Sequence, residues 1–447
     1  MTPKNGGNGS NRKPKIALLH FSAPPVISGV DVMIRDQARM FRLFGYRVEI
    51  VAGLGKQFRK DIPVHVIKSM GPRHPKVARV RDQLEKGIVG KNFYQLEEHL
   101  YKTLKQYLIN HGIGVVVIHN IMIRHYNLPL TSALVRLSGD LPQIVFIAWV
   151  HDTLFSDNPY MLVGQSVKEF PWSLLTTPLD HITYICVNEY CKKNLIDTFG
   201  GQAPKMLEVI NNAIDVPKFL GLSPLMRGFY DEIDGLGSDL IGLVPVRAVP
   251  RKNLELALAI ASEMVVKGVN FKLILTANVD YKRPEYLLYY QKLKNLVSTL
   301  GLERNVFFME EQLMKYSDAK AIPTIPMSEV YRIADFLLLT CAMDGFGLPL
   351  LEAGVARAPI FVSDIPPYRE IGTTNINYFP LTKSPREIAR FILSHLKKMP
   401  QAYFYRKVIR NYSLRAVFSN HIIPLITRKT RPAKPSRTAS YQLIGAS

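Results

Sequence analysis

Short, continuous apolar runs alternate along this chain with longer stretches in which apolar residues recur every three or four positions. The first run, Lys15-Ile16-Ala17-Leu18-Leu19-His20, leads through a loop at 22–28 and Gly29 into a helical pattern over 30–44. Gly45 closes that helix, and a second run follows at 47–52. A strand buried on both faces reads as an unbroken hydrophobic run, whereas a surface helix shows a 3.6-residue period. Further strands are predicted at 115–119, 144–150 and 182–187, interleaved with helices such as 94–110. That alternation predicts a parallel, doubly wound sheet. Residues 209–215 close this first unit, and 217–237 reads as a loop-rich junction. The alternation then restarts with a strand at 240–245, a helix at 254–267, a strand at 271–276 and a helix near 286–300. A run at 306–309 precedes a loop-rich segment to 328, a strand at 336–340, a glycine turn, a helix and a strand at 359–362. Helices are predicted at 385–398 and 402–417.

The architecture repeats while the sequence does not, so the predicted fold class is α/β: two doubly wound, Rossmann-like lobes with a cleft between them. The predicted division is a flexible tail at 1–14, a first domain at 15–217, a linker at 218–237 and a second domain at 238–400. A helical segment at 401–426 and a basic, disordered tail at 427–447 complete it.

Composition narrows the class. The chain has 447 residues, 47% of them hydrophobic, enough for two or three domains with sizeable cores. No stretch approaches the roughly 18–20 continuous apolar residues of a membrane span. Residues 16–21 are too short for a signal-peptide core, and a cytoplasmic location is expected. Cys186, Cys191 and Cys341 make no disulfide framework and are expected to be buried free thiols. The net charge of +21 requires anionic partners: nucleotide phosphates, anionic lipid or nucleic acid. Residues 56–91 concentrate cations and read as a solvated basic insertion or a flap facing an acceptor or a membrane. Nucleic acid is supported by charge alone, since no nucleic-acid-binding signature is present.

The candidate chemistry centres on Asp344-Gly345-Phe346-Gly347-Leu348-Pro349, with Glu352 beyond it. Glycines beside a helix N-terminus let backbone N–H groups approach an anion, and Pro349 suits the first helical turn. The plainer alternative is an ordinary helix-capping turn. Arg247 and Lys252 flank a short turn entering a helix, where acids are usually favoured, and such cations suit a diphosphate. Trp149-Val150-His151-Asp152 ends a strand at the sheet's carboxyl edge, where such sheets place functional groups. His151 there is a substrate donor, a proton carrier or a structural histidine. Gly29 stands at the first strand-to-helix turn, with Ser28 where a second glycine would strengthen the motif.

These separated signals resemble the retaining glycosyltransferases of the GT-B fold, specifically the large family 4 that uses nucleotide sugars. The resemblance runs from Lys15 to about Ile423. Arg247 and Lys252 resemble the family's Arg and Lys five apart; Asp344 through Glu352 resembles its glutamate–seven–glutamate motif. Ile210-Asn211-Asn212-Ala213-Ile214-Asp215 resembles its asparagine–glycine–hydrophobic–aspartate segment, Gly29 its glycine loop, and His151 the histidine facing the transferred sugar. Asp344 replaces the usual glutamate.

The resemblance implies metal-independent transfer of a hexose, with retention, from UDP- or GDP-hexose to an unidentified hydroxyl acceptor. No cofactor is implied. Arg247 and Lys252 would stabilise the leaving diphosphate, and Glu352 would bind the ribose. Asp344 with the Gly345–Gly347 backbone would hold the donor sugar and phosphate, with Phe346 and Leu348 also donor-binding, and the C-terminal helices would cross back to the first domain. Peripheral contact with anionic membrane at its inner face is a further expectation. The alternatives are a phosphorylase or epimerase on the same scaffold, a degenerate scaffold that binds without turnover, and a nucleic-acid-binding protein.

Overall fold

The computed structural model describes residues 13–25, 28–152, 168–278, 283–315 and 324–428. The chain divides into two compact units, 1–213 with 417–447 and 214–416. In the first, parallel strands β1 (Lys15–His20), β2 (Val48–Ala52), β3 (Val64–Val66), β4 (Ile113–His119), β5 (Val145–Val150), β6 (Thr183–Cys186) and β7 (Leu207–Val209) lie in the order β3-β2-β1-β4-β5-β6-β7. In the second, β8 (Leu240–Val244), β9 (Phe271–Leu275), β10 (Val306–Phe308), β11 (Phe336–Leu339), β12 (Ile360–Ser363) and β13 (Asn377–Phe379) lie in the order β10-β9-β8-β11-β12-β13, again all parallel. Both are doubly wound orders. Each reverses beside its first strand, at β1/β4 and at β8/β11, and ligands bind beyond the carboxyl ends of strands at such a point.

The central strands are buried along nearly their whole length, which is why they stand out as apolar runs. Gly242 in the middle of β8 is a packing requirement. A Cβ there would lie 2.8 Å from the Phe271 ring and 3.0 Å from the Phe336 ring, which stack with centroids 6.0 Å apart.

Three expectations change. The junction at 217–237 is helical: Val216–Phe219 and Pro224–Glu232 are helices, and Met226, Phe229, Tyr230 and Ile233 are fully buried. Its prolines read as loop signals, yet Pro217 and Pro224 sit in first helical turns, where a missing N–H is harmless. The basic stretch at 56–91 is more than a solvated insertion. It supplies edge strand β3 and a helix, Pro75–Leu84, that buries Val77, Val80 and Leu84 while Arg73, Lys76 and Arg79 stay exposed. Short strands β7 and β13 also escaped a search for apolar runs, because neither is fully buried. The tails at 1–12 and 429–447, where flexibility and disorder were expected, lie outside the described residues.

The C-terminal helices do cross back. Arg406, on the helix Pro400–Tyr412, makes a buried ion pair with Asp335 just before β11. Beyond Ala416 the chain belongs to the first unit, where Phe418 packs against Phe41 and Phe44 at 5.1 and 6.0 Å between ring centroids. The three cysteines are free and buried, as expected. Among the described residues no helix is long and apolar enough to cross a membrane.

Candidate functional site

The second sheet's switch point opens into a pocket of about 870 Å³. Arg247, Lys252, Asp344, Gly345, Phe346, Gly347, Leu348 and Glu352 all line it. Arg247 follows β8. Its side chain is exposed, and its guanidinium makes no hydrogen bond or ion pair among the described residues. Lys252 ends a tight turn, Pro250–Lys252, and Asn253 after it adopts a left-handed φ of 49°. Thr340, past β11, donates to the carbonyls of Asn253 (2.8 Å) and Lys252 (3.3 Å), so neighbouring strands clamp the turn. On the other side, the helix Leu348–Val355 starts at Gly347 with no side-chain cap; Pro349 brings no N–H and Leu350 N–H donates to the Gly347 carbonyl (2.9 Å), so what the helix start offers a ligand is the Leu348 N–H.

Only one of the two glycines is conformationally required. Gly347 has φ 109°, and a Cβ on it would meet the Tyr368 ring at 3.0 Å. A Cβ on Gly345 would meet nothing within 4 Å.

Asp344 faces inward on its neighbours. Its Oδ2 accepts from Lys252 Nζ (2.8 Å) and the Tyr368 hydroxyl (2.8 Å). Its Oδ1 accepts from Gly345 N–H (2.9 Å) and more distantly from Arg251 (3.4 Å). These four donors match the roughly four lone-pair sites of a carboxylate. Burial pushes the Asp344 carboxyl up, but the hydrogen bonds from Lys252 and Tyr368 outweigh it and hold the pKa below the usual carboxylate range. Asp344 therefore fixes the nearly buried Lys252 ammonium, which keeps two further N–H donors for a ligand. Glu352, one turn into the helix, accepts from the Tyr331 hydroxyl at Oε2 (2.8 Å).

His151 and Gly29 belong to the first domain. There β1 and β4 end in His20 and His119, and His151 directly follows β5. His20 Nδ1 donates to the His119 carbonyl at 2.9 Å, and His119 Nδ1 lies 3.0 Å from His151 Nε2. His119 Nε2 is buried without a partner. Placing the His119 proton on Nδ1 avoids a stranded N–H, so His119 donates and His151 carries its own proton on Nδ1. Burial and the nearby His20 push His151 down to about 4, and burial holds His119 well below the ordinary histidine value. At neutral pH His151 is a neutral hydrogen-bond donor. Gly29 opens its helix behind the cap Ser28, and the hydroxyls of Ser22 and Ser28 both donate to the buried Asp31. That helix start already holds a carboxylate, and Gly29 itself faces open space. Elsewhere in this domain Glu49, His65 and His111 bring possible metal-ligand atoms within 4.8 Å of one another. Glu49 is already ion-paired to Lys15 and hydrogen-bonded by Tyr107.

Residues 237–411 match the family model described as "Glycosyl transferases group 1". The second domain belongs to that family. This chain is a glycosyltransferase. The mannosylglucosylglycerate synthase of Thermotoga maritima is 22% identical over 421 residues, covering 85% of this chain and 91% of that enzyme. A serotype-specific mannosyltransferase, WbdA of Escherichia coli, is 33% identical over 253 residues, 54% of this chain and 29% of its own. A glycosyltransferase structure from Rickettsia africae aligns over 94% of this chain and all of its own at 14% identity. Its TM-score of 0.37 adds nothing to the sheet orders.

Several residues of the glycosyltransferase pocket escaped the sequence reading: Arg251, Thr276, Asn278 and Glu310 in its walls, and Tyr331 and Tyr368 behind its carboxylates. The tyrosines come from helices distant in sequence and carry no local signal. Thr276, Asn278 and Glu310 follow β9 and β10, and their positions at the carboxyl edge were the one available clue.

Proposed function

We propose that this glycosyltransferase moves a hexose from a nucleotide diphosphate sugar to a hydroxyl acceptor, with retention at the anomeric carbon and without a metal. The observation that carries the reading is the pairing of two cations, Arg247 and the Asp344-held Lys252, with the uncapped N-terminus at Gly347 around one pocket. Negative charge grows on the diphosphate as the glycosidic bond breaks, and preorganised cations and N–H groups stabilise that charge selectively. Arg247, unpaired among the described residues, meets the diphosphate directly. Lys252 meets it held in place by Asp344. Glu352, oriented by Tyr331, accepts from the ribose hydroxyls. The leaving phosphate takes the acceptor's proton on the face it departs from, which yields retention without a carboxylate nucleophile. His151 serves as a neutral donor to a hydroxyl, its Nδ1–H set by His119.

A thermal-shift panel of nucleotide sugars identifies the donor, and mass spectrometry of the product then identifies the acceptor. With that pair, Arg247→Ala and Lys252→Ala should each lower kcat by about 10²–10³. Near-normal turnover by both variants would overturn the diphosphate assignment. Inversion at the anomeric carbon, read by NMR of the product, would overturn retention.

A further inference from the structure

Glu49 is an acid in the otherwise apolar strand β2 and is only 6% exposed. In the parallel register Val51 stands opposite His65 of β3, and Glu49, two residues back, shares that face. His111, which caps the C-terminus of the helix Lys91–Asn110, reaches the same carboxylate: its Nδ1 lies 2.8 Å from Glu49 Oε2. His65 Nε2 lies 3.6 Å from that oxygen, too far for a hydrogen bond, and is buried with no hydrogen-bond partner among the described residues. The two imidazoles stand edge to face with centroids 4.9 Å apart, and the three ligand atoms all fall within 4.8 Å of one another. Lys15 opens β1 and Glu49 lies near the start of β2, so the cluster stands toward the strands' amino ends, away from His20, His119 and His151.

We infer that Glu49, His65 and His111 bind a structural zinc ion. Zinc takes imidazole nitrogen and carboxylate oxygen at about 2.0–2.2 Å in a tetrahedron, whose edges are then about 3.3–3.5 Å. The separations of 2.8 and 3.6 Å bracket that edge. Two imidazoles also favour zinc over magnesium or calcium, which take oxygen ligands. Glu49 has the capacity. Its Oε1 pairs with Lys15, and its Oε2 accepts from Tyr107 and His111. The ion replaces the His111 N–H on Oε2, while Lys15 and Tyr107 keep their places. His111 ligates through Nδ1 with its proton on Nε2, His65 through Nε2 with its proton on Nδ1, and water completes the tetrahedron. Lys15 and Tyr107 then orient the ligating carboxylate, as outer-shell partners do. Hydrogen bonding alone leaves His65 Nε2 buried and unsatisfied; the ion gives it a partner. The ion cross-links β2, the three-residue edge strand β3 and the end of a 20-residue helix, and it takes no step in the proposed transfer.

The test is calorimetric titration of the full chain, stripped with EDTA and dialysed, with zinc chloride. Wild type should bind one zinc equivalent that His65→Gln and His111→Gln each lack. Each variant should lose more than about 100-fold in affinity at that site, beyond the cost of an outer-shell change. Zinc should raise the thermal unfolding midpoint of wild type and leave both variants where they are. In EDTA all three should unfold alike, which reports that the variants are folded. Cobalt(II) added to the stripped wild type needs no variant: it should give the visible absorption of a four-coordinate ion, and zinc should bleach it. No zinc uptake by wild type, uptake that both variants retain in full, magnesium binding as tightly as zinc, or a six-coordinate cobalt spectrum would each overturn the assignment.

Discussion

Two glycines of one motif do different work here. Gly345 and Gly347 look equivalent in the sequence, but only Gly347 occupies a left-handed conformation and presses on Tyr368. Gly347→Ala should destabilise the second domain by about 1–3 kcal/mol, the cost of a non-glycine residue in sparsely populated backbone space. It should also displace Tyr368 from Asp344 and weaken nucleotide binding. Gly345→Ala should stay within about 0.5 kcal/mol of wild type. Urea unfolding of both variants checks the pair, and equal losses would show that the turn is not set by Gly347. The carboxylates divide in the same manner. Asp344 spends its lone pairs on Lys252, Arg251, Tyr368 and Gly345 and so acts through Lys252. Glu352 is held by a tyrosine and lines the pocket itself.

Among the elements, the strands were legible and several helices were not. A fully buried strand announces itself as an apolar run, so β1, β4, β5, β8, β9 and β11 could be found by inspection. The helices at 216–219 and 224–232 carry a proline in their first turns and have glycines nearby, the same residues that mark loops; only their packing distinguishes the two. The closing segment after Ala416 is also defined by packing. Phe418 is 1% exposed between Phe41 and Phe44. Phe418→Ala should cost about 3–5 kcal/mol, taken from the first domain alone. Thermal unfolding should then show a lowered first-domain transition, with the nucleotide-stabilised transition of the second domain in place. A uniform shift of both transitions would contradict that assignment.

For the whole molecule, pH is the lever the first domain exposes. His20, His119 and His151 all have pKa values below the ordinary histidine value of about 6.5, with His151 near 4, each chiefly through burial. Their neutral forms are the folded ones. Below pH ~6.5 the unfolded chain takes up protons that these folded histidines refuse, so their contribution is fully present above that value and is lost as the pH falls toward about 4. Urea midpoints should drop between pH 7.5 and pH 5, and His119→Gln, which cannot titrate, should flatten part of that slope. A midpoint independent of pH would contradict neutral burial. By itself the sequence determined the two parallel-sheet lobes and the short segments able to meet a phosphate, because burial on both faces and glycine turns are local signals. Only the tertiary structure decided that Asp344 belongs to Lys252, that Tyr331 and Tyr368 orient the acids, that three histidines form one chain, and that Glu310 lines the pocket. Those pairings join residues up to 99 positions apart, and what brings them together is sheet order, which no local pattern encodes.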